Sequence, residues 1–301
     1  MGPERSRRRA RRTLRLAVCA SLVSISWLPS AGPEPSLAAA AVKPVTLVVC
    51  APGYPGTTAE AQPAMDTLAA AAAGAAGWNA GELAAVYFET EQGGVDRLSR
   101  PDAAMALVAL PFWLKHREAL KLEPALQAVQ QDGEAAESWS LVASKGAVTG
   151  PASLDGFEIM SLAGYASHFV RGPALGSWGD LPRGVTISFS GAVLTGLRRA
   201  STGTRVALLL DREQAAAMPS LPFAAKLEVV ARSAPLPVSV LCAVNGRLPA
   251  SRLRSLVSGL TSLNATATGA EALAGVRLSR FVALDRPALA RAVDAYARVR
   301  D

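Results

Sequence analysis

A chain of 301 residues, half of them apolar, holds enough hydrophobic material for one large domain or two compact lobes. Its formal net charge of +7 comes mostly from one end: residues 1–40 contain seven of the 31 Lys+Arg and two of the 24 Asp+Glu, leaving 24 basic against 22 acidic side chains. That near balance gives no support for a basic stripe, so no nucleic-acid partner is expected.

The N-terminus reads as an export leader. Residues 5–15 are rich in arginine, residues 16–28 form an apolar stretch, and the alanines at 38–41 supply small-residue cleavage sites. The apolar stretch is shorter than the ~20 residues of a spanning helix. Arg11-Arg12 loosely resembles a twin-arginine export signal. Export to the periplasm with cleavage near residue 40 is the expectation, with an uncleaved anchor as the alternative. Cys19 lies too early in the apolar stretch, behind Val18, to be a lipid-attachment site.

In the mature chain, residues 45–50 (VTLVVC) make a first strand, broken by the loop 51–56 (APGYPG). Thr57 or Thr58 caps an alanine-rich helix that ends at Gly77. A strand, tight loop and helix N-terminus in this order aim backbone N–H groups at a ligand. The loop has neither a Walker ending nor GxGxxG spacing, so it predicts no nucleotide site.

Residues 84–88 form the second strand, ending at Glu89 and Thr90, and 93–98 a short helix. The run 104–110 (AMALVAL) is apolar without alternation, the pattern of a strand covered on both faces in a parallel α/β sheet. Pro111 stops it, delivering Phe112 to the carboxyl edge where open α/β sheets bind ligands. A helix through Leu114 and Leu120 follows, and residues 122–126 either continue it or turn around Pro124.

Residues 139–143 (WSLVA) are a fourth strand, and 144–151 have the composition of a crossing point. A second strand–helix cycle then begins. It comprises a strand at 157–162, a loop at 163–168 (AGYASH), a helix at 169–175, and a strand at 185–189 ending on Ser190. A helix at 192–200, a buried strand at 205–210 ending on Asp211, and a strand at 227–231 complete it. Residues 233–237 (SAPLP) are a second crossing. A strand at 238–244 and an amphipathic helix at 249–263 follow, and helical material closes the chain. Asn264-Ala265-Thr266 fits a glycosylation sequon but reads as a turn. The expected architecture is α/β and bilobed: leader 1–40, first lobe 41–145 plus 236–301, second lobe 146–235, joined by two strands.

Cys50 and Cys242 lie in apolar strands, where buried free thiols are expected, although an oxidising compartment would permit a disulfide. The sequence has no metal-ligand cysteine pair, and neither a cofactor nor a metal is expected. GxSxG and HExxH motifs are absent, so no enzyme is expected.

Residues 45–58 and the segments ALVALPFWLKHREALKLEP, WSLVASKGAV, LDGFEIMSLAGYASHFV, RVALLLDREQ and LPFAAKLEVVARS resemble the substrate-binding proteins of phosphate/phosphonate-type ABC transporters. The resemblance runs over about residues 45–296. It implies a type II periplasmic binding-protein fold, a monomeric clamp that closes on a small polar oxyanion and passes it to an ABC permease or a membrane sensor. Such a protein takes a small-molecule solute as its ligand. A periplasmic enzyme or a sensory module on the same fold is the alternative.

In such a clamp the first lobe offers Tyr54, Gly56, Thr57, Glu89, Thr90 and Phe112, and the second offers Tyr165, Ser167, His168, Ser190 and Asp211. The tyrosines can lie against a solute and donate a hydrogen bond. Ser167 stands either as an anion-holding residue at a helix start or as a plain cap. Asp211 stands either as a ligand contact or as the cap of the next segment. Glu89 and Asp211 would repel an anion unless protonated or paired, and suit hydroxyl, amine or protonated phosphoryl groups.

Overall fold

The structure is a computed structural model that describes residues 43–131 and 133–300. The expected leader, including Cys19, lies outside the described residues. In chain order the strands of the first sheet begin with β1 (Val45–Cys50), β2 (Leu83–Phe88) and β3 (Ala103–Ala109), with helices α1 (Thr58–Ala75) and α2 (Glu91–Leu98) between them. Helix α3 (Leu110–His116) follows, then β4 (Leu122–Gln130) and the two-residue crossing strand β5 (Ala136–Glu137).

The second sheet is built from β6 (Ser140–Ser144), β7 (Glu158–Ser161), β8 (Thr186–Phe189), β9 (Val206–Leu210) and β10 (Leu227–Arg232). Among these strands lie helices α4 (Ser167–Phe169), α5 (Val193–Ser201) and α6 (Arg212–Ala217). The return crossing is β11 (Leu236–Pro237), paired antiparallel with β5. Strand β12 (Ser239–Val244), α7 (Ala250–Thr261), α8 (Ala267–Gly275), β13 (Leu278–Val282) and α9 (Arg286–Ala297) complete the chain.

The two sheets share one plan. The first runs β13-β4-β12-β3-β1-β2 and the second β10-β6-β9-β7-β8. In each, three parallel strands (β2-β1-β3, β8-β7-β9) sit beside an antiparallel strand that has just arrived from the other sheet, β12 or β6. The expectation of parallel strands therefore holds for three of the six strands in the first sheet and three of the five in the second. β3 and β9 are apolar throughout because they are central and covered on both faces.

Five expectations change. Residues 122–126 are neither helix nor turn but the start of β4. Pro124 is tolerated there because the β12 ladder slips one register opposite it, and β13 pairs only with the stretch 127–130, leaving one side of Pro124 unbonded. Ser140–Ser144, expected in the first lobe with a boundary at 145, pairs in the second sheet; the chain crosses earlier, at β5. The helix expected over 169–175 is one turn of α4 widened into a π-type turn at Val170–Ala174.

The chain's end is not all helical, since β13 forms an edge strand. Finally, α9 does not stay with the first sheet. It packs on the second, where a Cβ on Gly172 would strike the carbonyl of Ala295, and the His168 and Tyr296 rings lie 5.4 Å apart.

Cys50 and Cys242 are both buried and free. They flank β3 on its two sides, about two strand spacings (~9.5 Å) apart, beyond disulfide reach.

Candidate functional site

The loop after β1 reaches toward the second sheet. Gly53 holds a positive φ of 81°, and a Cβ there would come within 2.6 Å of Leu162 and 3.0 Å of the Phe189 ring. Only glycine lets the two surfaces meet at this spacing. One residue on, the Tyr54 hydroxyl donates to Asp211 Oδ2 at 3.0 Å. Arg212 follows with two bonds to the first sheet's side: its N–H donates to Glu137 Oε2 (3.3 Å) and its Nη2 to Gln130 Oε1 (3.0 Å). Opposite, Lys115 Nζ donates to the Tyr165 carbonyl (2.6 Å) while pairing with Glu91 (2.7 Å). The cleft is thus drawn together at several points.

Inside lies a cavity of about 330 Å³. Its wall takes Val49 and Cys50 from the end of β1, Leu107 to Ala109 from β3, and Ala61, Ala64 and Met65 from α1. Leu162, Ala163 and Tyr165 come from the second sheet's side. The size is at the lower end for small-molecule pockets, and the lining is largely apolar. Tyr54, Tyr87, Trp139 and Tyr165 add four aromatic rings, and Glu137 is a carboxylate only 6 % exposed.

Electrostatics follow from burial. Glu137 is pushed up to about 7, first by desolvation and then by the nearby Asp211 carboxylate, against the pull of the Arg212 N–H. Asp211 is raised by burial too, though the Gln214 N–H and the Tyr54 hydroxyl hold it down. Tyr54 and Tyr165 are raised well above the ordinary phenol range, chiefly by burial, and Tyr87 to about 12, so all three rings stay neutral.

The expected site residues divide. Tyr54 and Tyr165 line the cavity, and Asp211, 2 % exposed, stands directly behind Tyr54. Asp211 also caps α6, accepting the Gln214 N–H at 2.8 Å, so its two readings coexist. Thr57 and Thr90 are caps: Thr57 forms a reciprocal box with Glu60, and Thr90 accepts the Gly93 N–H. Gly56 is exposed with φ 102° and open space around it.

Glu89 accepts the Thr58 hydroxyl at 3.2 Å. Phe112 is fully buried, because α3 begins at Leu110 with Pro111 in its first turn and swings the ring into the core against His116. Ser167 is exposed at the start of a single turn, His168 stacks on Tyr296, and Ser190 accepts the Ala192 N–H. None of these eight lines the cavity.

Sequence reasoning missed Glu137, Trp139, Tyr87 and Gln130, all on the wall. Glu137 carried a faint signal, as an acid next to a strand that crosses between lobes. Among the described residues, no three His, Cys, Asp or Glu side chains converge to hold a metal ion.

No family model and no curated protein matches the chain. Solved structures do. XAC2383 from Xanthomonas citri, bound to chloride ion, superposes with a TM-score of 0.64 at 14% identity, covering 84% of this chain and 98% of that one. PhnD1 from Prochlorococcus marinus in complex with methylphosphonate gives 0.57 at 13%, covering 85% and 98%. A binding protein component of an ABC phosphonate transporter from Pseudomonas aeruginosa gives 0.56 at 14%, covering 82% and 83%.

The chain has the type II periplasmic binding-protein fold. At these identities the likeness speaks for the fold alone. The cavity lies between β5, the β1 loop and the loops of the second sheet.

Proposed function

We propose that this protein is an exported, non-catalytic solute-binding protein that encloses a small organic molecule between its two lobes and presents it to a membrane permease or sensor. The observation that carries this reading is the cavity, walled by strand ends and loops of both sheets and closed by the Tyr54–Asp211 hydrogen bond across the cleft. The arginine-rich leader supports export. Among the described residues no helix is long and apolar enough to cross a membrane.

A phosphate- or phosphonate-like oxyanion is the solute class implied by the resemblance, and methylphosphonate is bound by the similar PhnD1. The wall of this cavity offers such an anion little, since its buried carboxylate is Glu137. A thermal-shift screen of the mature chain against phosphate, methylphosphonate, sulfonates, amino acids and amines tests the reading. A true solute raises the melting temperature by mass action and makes the particle more compact in small-angle scattering. A screen without hits, or a hit that leaves the radius of gyration unchanged, counts against it.

A further inference from the structure

Anion recognition in α/β clefts relies on helix N-termini and fixed cations. Here three helix N-termini and one lysine ammonium are engaged by the chain itself. One first-turn N–H in each of α1, α2 and α6 is held by a capping side chain, Thr57, Thr90 and Asp211 respectively. The Lys115 ammonium is held between Glu91 and the Tyr165 carbonyl and is not part of the cavity wall. The ionisable wall groups are three carboxylates, Glu60, Glu137 and Glu213, three tyrosines, the Cys50 thiol, and Arg277, which like Glu60 and Glu213 is exposed.

Of the carboxylates, Glu137 is the buried one. Asp211, behind it, has both oxygens engaged, Oδ1 by the Gln214 N–H and Oδ2 by Tyr54. Glu137 accepts a long bond from the Arg212 N–H through Oε2. A buried carboxylate on a cavity wall gains strongly from a charged donor. Four aromatic rings share that wall, the surroundings that favour an ammonium group through their electron-rich faces.

We propose that the cavity selects an organic cation, an ammonium group carried on a compact apolar body. Glu137 provides the counter-charge, and Tyr54, Tyr87, Trp139 and Tyr165 enclose the cationic end. The remaining wall, including Met65, Leu107, Leu162 and Val276, takes the apolar body. The inference rests on the solute-binding reading and deepens it.

Calorimetric titration of the mature chain with three probes of similar shape tests the class: 2-phenylethylamine, the neutral 2-phenylethanol, and phenylphosphonate. The expected order is the amine at least tenfold tighter than the alcohol, with phenylphosphonate weakest. Glu137→Gln should lose at least tenfold for the amine and stay within twofold for the alcohol. Wild-type protein provides a readout independent of folding defects. On lowering the pH from 8 to 5.5, amine affinity should fall at least tenfold and alcohol affinity should hold, as Glu137 takes up a proton among its neighbours Tyr54, Asp211, Arg212 and Glu213.

Preference for phenylphosphonate or the alcohol overturns the cationic class and leaves the solute-binding reading standing. A flat response to all three probes also overturns the class, while the solute-binding reading is then decided by the broader screen. Equal loss for amine and alcohol in Glu137→Gln removes Glu137 as the counter-charge.

Discussion

Tyr54 and Asp211, 157 positions apart in sequence, meet at 3.0 Å across the cleft, the phenol donating to a carboxylate that also caps a helix. One bond thus ties the β1 loop of the first sheet to the start of α6 beside the second. Tyr54→Phe removes the donor and leaves Asp211 Oδ2 buried without it, at a cost of about 1–3 kcal/mol. The variant should bind any proven solute roughly five- to a hundredfold more weakly and show a larger radius of gyration without ligand. Unchanged affinity and size would remove the bond from the closing mechanism.

Glu137 makes stability depend on pH in an unusual direction. Its carboxyl sits at about 7 in the folded protein against an ordinary 4.5. The native state therefore holds a proton that the unfolded state has released between those values, and stability falls as the pH rises through that window. The stabilisation is complete below about 4.5 and lost above about 7, a change on the order of 3 kcal/mol. Asp211, also raised, adds to the same trend. Urea denaturation at pH 5 and pH 8 should show it, and Glu137→Gln should flatten most of the slope. An equal slope in the variant would assign the effect elsewhere.

The docking of α9 depends on the absence of a side chain at Gly172, where a Cβ would collide with the Ala295 carbonyl and come within 2.9 Å of Val299. Gly172→Val should cost about 1–3 kcal/mol by overpacking, lowering the melting temperature by roughly 2–10 °C. Loosened from its seat, α9 should become the first site cut in limited proteolysis. Wild-type resistance at residues 286–297 in the variant would contradict that seating.

Neither thiol of the two apolar strands is available to reagents. Burial pushes Cys50 up to about 12, with Glu91 and Glu89 adding to the effect, and raises Cys242 further. A maleimide applied at pH 7.5 should label both only after unfolding, as read by peptide mapping. Labelling in native buffer, or a Cys50–Cys242 cross-link, would disagree with their placement on either side of β3.

Much of the fold was legible because its central strands are β-branched or continuous apolar runs, such as Val45–Cys50 and Val206–Leu210, bounded by proline, glycine or aspartate. β4 was not, because Pro124 imitates a break and only the slipped β12 ladder shows how the strand absorbs it. The crossing was placed late because Ser140–Ser144 has the look of any core strand, and nothing local tells which sheet it joins. At the site, Tyr54, Tyr165 and Asp211 could be found from their positions after strands. Phe112 could not, since α3 already begins at Leu110 and carries its ring into the core. Glu137 sits in a two-residue strand with no motif, and its burial is a property of partners about 75 to 100 residues away, Arg212 and Leu236.

The placement of α9 has a practical consequence. The described chain starts in the first sheet at β1 and finishes on a helix seated against the other, so its two ends attach to different sheets. Under the proposed closure, fluorescent proteins fused to the two ends of the mature chain would change their separation, turning solute capture into a colour ratio without any insertion into the body of the protein.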